Sequence, residues 1–168
     1  MNQKTAMKLF GLLGLLMLLS CGYADRHRNN SSCEQVLVDS LEVRVQDSLF
    51  SNVHYSRSQV LDALTQAQDS QVYYRLLALY GKTFFVSSDF DSILYYNRRV
   101  KEFFRNASQS SESLQSPQWN DVLSDVYNIE GNVWMQLNRP DSAITDYKKA
   151  YEYRLKGRKL HLLPDICI

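Results

Sequence analysis

Residues 119–154 read WNDVLSDVYNIEGNVWMQLNRPDSAITDYKKAYEYR, and this stretch decides the fold. Val122, Val126, Ile129, Val133 and Leu137 recur at steps of three and four, which places them on one face of a helix from about Trp119 to Leu137. Asn138-Arg139-Pro140-Asp141-Ser142 then breaks the pattern, because proline resists helix continuation and Asp and Ser are good caps for the next helix. A second helix follows from about Ser142 to Arg154, with Ala143, Ile144, Tyr147, Ala150 and Tyr151 turned inward. A connection this short favours antiparallel neighbours.

Moving outward, the same unit occurs fifty residues earlier. Gly81 falls on Gly131, Phe84 on Trp134, Asp91-Ser92-Ile93 on Asp141-Ser142-Ala143, Arg98-Arg99 on Lys148-Lys149, and Glu102-Phe103 on Glu152-Tyr153. The earlier copy reads as helix Gln71–Val86, a break at Ser87-Ser88-Asp89-Phe90-Asp91, and helix Ser92–Arg105. Between the copies lies the Ser-rich stretch NASQSSESLQSPQ (106–118), part of it loop, with Pro117 suited to a first helical turn. Further upstream, Leu37, Leu41, Val45 and Leu49 predict one helix and Ser56–Ala67, capped by Ser56 or Ser58, a second. A strand over 36–45 is the competing reading, but it has no partner strand in the chain. The whole is all-α, with about three helix pairs.

The spacing of the later unit resembles the tetratricopeptide repeat family, whose 34-residue unit carries a large residue, Gly, an aromatic, then Ala, an aromatic and Ala. These positions are Tyr127, Gly131, Trp134, Ala143, Tyr147 and Ala150, with departures at Glu130 (usually Leu) and Leu155 (usually Pro). In the earlier unit Leu77, Gly81 and Phe84 fit. Ile93, Asn97 and Val100 replace Ala, aromatic and Ala, which predicts looser packing there. Gly131 is expected to let the second helix lie against it at Ala143, with Trp134 and Tyr147 filling the remaining space. The resemblance covers about residues 71–154 and implies a right-handed α-solenoid of antiparallel helix pairs. The helical domain is bounded at 35–156, with repeats 71–105 and 119–154 and a divergent pair 35–67. An apolar tail, 157–168, follows.

At the other end, Lys4 and Lys8 precede an apolar run from Leu9 to Leu19, the form of an export signal over residues 1–20. The run is well short of the roughly 20 apolar residues a membrane span needs. Leu18-Leu19-Ser20-Cys21 resembles the lipobox of bacterial lipoproteins. That resemblance implies an acylated Cys21 as the mature amino terminus, a polar tether to residue 34, and a lipid-anchored place in a bacterial cell envelope, outer membrane before inner, facing periplasm or surface. Acyl chains contribute about 0.8 kcal/mol per buried methylene. Cys33 and Cys167 carry no pairing information in their spacing.

Composition narrows the function. Nineteen Lys and Arg against eighteen Asp and Glu give +1 over 168 residues, and loss of Lys4 and Lys8 with the signal gives −1, so no field for nucleic acid exists. Six Gly and three Pro argue against a turn-rich β-sandwich. His27, His54 and His161 share no helical face, so no metal or other cofactor is expected. Nucleophile elbows, phosphate cradles and His-Glu-x-x-His are absent, so the chain reads as no enzyme, and no small-molecule substrate is inferred. Of the eleven tyrosines, Tyr80, Tyr127, Tyr147, Tyr74 and Tyr151 read as core, whereas adjacent Tyr95 and Tyr96 cannot both face inward. Asp-Ser-apolar triplets at Asp39, Asp47, Asp91 and Asp141 resemble the O-glycosylation site of exported Bacteroidota proteins, with helix capping as the competing reading for Asp91 and Asp141. Asn30-Ser-Ser and Asn106-Ala-Ser fit a eukaryotic N-glycan pattern that a lipobox-bearing host would not use.

In the family resembled, partners lie in the concave groove made by the first helix of each pair. Position by position, that implies Arg75, Ala78, Lys82 and Phe85 from one unit and Asp125, Asn128, Asn132 and Met135 from the next. Such a surface suits an extended peptide or protein segment with an acidic stretch. The expected function is a lipid-anchored envelope module that holds a protein or peptide. The alternative is the sensory amino-terminal part of a longer envelope regulator.

Overall fold

The computed structural model describes residues 35–107 and 116–157, which form six α-helices and, among these residues, no strand. They are α1 (35–48), α2 (Val53–Gln66), α3 (Ser70–Lys82), α4 (Phe90–Ala107), α5 (Pro117–Gln136) and α6 (Pro140–Lys156). No helix among the described residues is long and apolar enough to cross a membrane. The signal at 1–20, Cys21 and its tether, Cys33, Cys167, His27, His161, Asn30, the Ser-rich segment 108–115 and the tail from 158 lie outside the described residues.

The helices start earlier than the sequence suggests, because the capping side chains sit upstream of the expected ones. Asn52 caps α2, its Oδ1 accepting from the Tyr55 amide at 3.1 Å, so Ser56 falls inside the helix and is buried. Asp69 caps α3 by accepting from the amides of Gln71 (2.7 Å) and Val72 (3.2 Å). Asp89 does the same for α4 through the Ser92 amide at 3.1 Å and the Ser92 hydroxyl at 2.8 Å. Each such bond satisfies an amide that the first helical turn leaves without a partner. Asp91 and Asp141 are therefore first-turn residues that favour the helix dipole, and α6 has no side-chain cap at all: it opens on Pro140, whose ring sets φ in advance. α5 opens on Pro117 in the same way. Asn138, at φ 57°, turns the chain out of α5, and the Arg139 amide returns to the Trp134 carbonyl at 2.8 Å.

α5 and α6 pack antiparallel along their length. Ser124 donates to the Ala150 carbonyl at 2.9 Å and Trp134 Nε1 to Asp146 Oδ2 at 2.9 Å. α3 and α4 repeat the arrangement, with Tyr74 stacked on Phe103 at 4.0 Å between centroids and Gly81 against Tyr96 and Asn97. The first helices run parallel to one another: Arg75 reaches Asp39 and Lys82 reaches Gln46, both pairs 36 residues apart. The joint between α4 and α5 is also parallel, through Asn97 to the Val126 carbonyl and Lys101 to Glu130, both 29 apart.

The core faces differ from the expected ones in particular places. On α1 the buried stripe is Val38, Leu41 and Val45, continued by Leu49 just past its end, while Leu37 is 61% exposed. Leu137, Ile144 and Tyr151 are likewise exposed, and Asp146 takes an inward position on α6 beside Ala143 and Ala150. Of the tyrosine pair, Tyr96 packs inward against Tyr80 and Phe84 while Tyr95 stays exposed. Trp119, only a helix start in the sequence reading, is fully buried between Phe103 and Phe104 and donates to Gln71 Oε1 at 3.3 Å. Ile93, Val100 and Val133 show no exposed surface, and burying each such side chain contributes about 1.5–3 kcal/mol.

Gly131 lies against the Tyr147 ring. A Cβ added there would stand 2.5 Å from the tyrosine ring, which its own hydroxyl ties to Asn132 Oδ1 at 2.7 Å. Gly131→Leu is expected to cost about 1–3 kcal/mol by overpacking, read as a lowered Tm. Ile144→Ala, on the exposed side of the same hairpin, is expected to stay within about 0.5 kcal/mol. Equal melting temperatures for Gly131→Leu and the unaltered chain would contradict this packing.

Candidate binding groove

Parallel first helices place α1, α3 and α5 side by side, and their facing side chains form a groove with two unlike ends. At the end near the starts of α3 and α5, Arg75 is only 3% exposed and its Nη2 is held by Asp39 Oδ1 at 2.7 Å and Glu42 Oε1 at 3.1 Å, both on α1. Gln118 of α5 closes over it; with its amide oxygen turned to the guanidinium it accepts from Nη1 at 2.6 Å. Only about 40 Å³ remains beside this cluster. The sequence reading placed Arg75 on the groove surface, but here it binds the groove's own walls. A buried guanidinium is tolerable only with such partners.

The other end is open. A cavity of about 180 Å³ lies there, lined by Gln46 of α1 with Leu49 and Phe50 just past its end, by Lys82 at the end of α3 with Phe85 in the turn that follows, and by Asn128, Ile129 and Asn132 of α5. Asp125 lies on its edge, its Oδ1 taken by Arg154 Nη2 at 2.6 Å. Lys82 Nζ donates to Gln46 Oε1 at 2.9 Å, and Asn132 accepts from the Tyr147 hydroxyl. Phe85 is half-buried on the cluster of Ile93, Ile129 and Val133. Met135 is exposed and outside this cavity. Lys82, Phe85, Asp125, Asn128 and Asn132 thus come together, whereas Arg75 and Ala78 line the narrow end.

Phe50, at 78% exposure, and Gln46 belong to this cavity and escaped sequence reasoning. Their helix lies outside the fifty-residue repeat, so no matched position pointed to them. The only signal was the 36-residue relation between α1 and α3, which the amino acids themselves hardly show.

Behind the groove, at the α4–α5 joint, sits a second group of polar side chains. Glu130 is buried and Lys101 Nζ reaches its Oε2 at 2.6 Å. Burial raises the Glu130 carboxyl above its ordinary value, and the hydrogen bond and charge of Lys101 only partly oppose this. Beside it, Tyr127 stacks on Tyr153 at 5.7 Å between centroids, and the ammonium groups of Lys101 and Lys149 each stand 5.1 Å from its ring centre. Burial first, then Tyr153 and the carboxylates Glu130 and Asp146, push its hydroxyl up to about 12. These groups tie α4, α5 and α6 together. No cluster of three or more His, Cys, Asp or Glu suited to a metal occurs among the described residues. Of the four Asp-Ser-apolar serines, Ser40 and Ser142 are exposed, while Ser48 and Ser92 are partly buried and bonded to Ser56 and Asp89.

The raised Glu130 carboxyl fixes a pH dependence. The folded state holds this proton more tightly than the unfolded chain, so the stabilisation is complete below the usual glutamate value of 4.5 and is lost as pH rises through the higher folded value. Glu130→Gln is expected to flatten that part of the Tm-against-pH curve, as measured by thermal denaturation from acid to neutral pH; an unchanged slope would contradict the assignment. Comparison of the chain with protein-family models, curated proteins and solved structures finds no match.

Proposed function

We propose that this chain is a lipid-anchored envelope protein that holds an extended peptide or protein segment in the groove formed by α1, α3 and α5. The open cavity of about 180 Å³ carries this reading: apolar groups at its floor, amides at its rim, and three parallel helices contributing together. An apolar floor supplies affinity, and fixed amides supply orientation. The parallel first helices also support a right-handed solenoid of tetratricopeptide type, with the Gly131–Tyr147 contact as its close-packed hairpin. The basic start, the apolar run and Ser20-Cys21 support acylation of Cys21 and a place in a bacterial envelope.

Two measurements test the proposal. A photo-crosslinking amino acid at Asn128 is expected to capture a protein adduct in cells, whereas the same group at Tyr95 on α4 is not; no adduct from Asn128, or equal adducts from both, would reject the groove. Labelled palmitate is expected to enter the chain and to be lost in Cys21→Ala. A lack of label in the unaltered chain would reject the anchor.

A further inference from the structure

Among the described residues, no aromatic pair joins α1 to α2, whereas each later hairpin has one. The contacts Asp39–Arg75 and Gln46–Lys82 lay α1 against α3. The fifty-residue repeat carries Phe103 onto Tyr153. In α3–α4 the rings of Tyr74 and Phe103 stack at 4.0 Å, and in α5–α6 Tyr153 stacks on Tyr127 at 5.7 Å. On the α2 side of this hairpin stand Ala63 and, just past the end of the helix, Ala67. The result is a cleft of about 330 Å³ between α1, α2 and the start of α3, larger than either part of the groove.

Its floor is Val38, Leu41, Val72 and Leu76, all buried core residues. Arg44 stands on the α1 lip and Asp62 on the α2 lip. These two do not pair with each other, and neither side chain has a hydrogen bond or ion pair with another described residue. A purely apolar occupant would strip water from both charges without replacing it, at a cost. An occupant bearing the complementary groups would not.

We propose that this cleft binds a small amphiphile: a ring-sized apolar body carrying an anionic group for Arg44 and an N–H donor for Asp62. The body lies on the apolar floor, and the head stays at the wet lips. The site is separate from the peptide groove and stands or falls independently of it.

The probe 1-anilinonaphthalene-8-sulfonate has this chemistry, with fused rings, a sulfonate and an amine N–H. Titrated into the full chain, it is expected to bind once, with blue-shifted fluorescence. Arg44→Gln should weaken binding about tenfold. Ala67→Phe, which puts a ring into the cleft, should abolish it while leaving Tm unchanged or higher, and Asn128→Ala in the groove should leave it unaltered. In the unaltered chain, methyl resonances of Val38, Leu41, Val72 and Leu76 should shift on binding, a readout that holds even where Ala67→Phe fails to fold. Undiminished binding by folded Ala67→Phe, methyl shifts confined to Ile129 and Val133, or a dimer that Ala67→Phe converts to monomer would each overturn the proposal, the last by giving the cleft to a second copy.

Discussion

The close approach of α4 to its two neighbours is the contact on which the other packing depends. Ile93 and Val100 have no exposed surface and Asn97 has 1%, because α3 covers one side of the helix and α5 the other. Gly81 makes the first approach possible: a Cβ there would stand 3.1 Å from the Tyr96 Cβ, an atom next to the main chain that cannot rotate away. With α4 held off, Val126, Ile129 and Val133 of α5 would lose part of the apolar surface they pack on, and α5–α6 would be held to the rest chiefly by the contacts of α5 with α3. A helix pair cannot bury its stripe alone, so stability accumulates only as pairs stack.

That joint is also where the chain places its least conventional core residues. Asn97 occupies the position that holds Tyr147 in the next pair, and Glu130 one where Leu is usual in the repeat family resembled. Neither is left unpartnered: Asn97 donates to the Val126 carbonyl at 3.2 Å and Glu130 takes the Lys101 ammonium. Such pairs contribute little net stability against well-packed apolar residues, since desolvation offsets most of the attraction. What they add is register. Both bonds span 29 residues and run in the same direction, so a slip of α5 along α4 by one turn would break both and strand a buried carboxylate.

The sequence made the helices legible where apolar spacing and repetition agreed. α3 to α6 were found in order, with boundaries off by a few residues, because periodicity marks the middle of a helix and caps mark its ends. Asp91 and Asp141 looked like caps by residue type, yet the capping bonds belong to Asp89 and, in α6, to no side chain. Ile144 and Tyr151 are apolar in character and exposed in fact, since Ala143, Asp146 and Ala150 take the buried face of α6 and Tyr147 lies against Gly131. The groove was legible in half. Lys82, Phe85, Asn128 and Asn132 followed from repeat positions, but Arg75 has the same spacing and a different fate, decided by Asp39 and Glu42 on a helix outside the detected repeat. One-dimensional spacing identifies a face; it does not say which neighbour the face has already met.

The fixed end of the groove bears on how its open end would bind. Holding α1 to α3 through Arg75 sets the distance between groove walls before any partner arrives. Lys82 is already bonded to Gln46 and Asn132 to Tyr147, so these long or polar side chains have surrendered part of their rotamer freedom in the free protein. Docking then loses less entropy than it would on a surface of unrestrained side chains. Phe50 is the exception, an aromatic ring largely in water at the mouth of the cavity. Its apolar surface is the largest single area there still to be removed from solvent, and at roughly 25 cal/mol per Å² that area supplies a driving force the prearranged amides alone would lack.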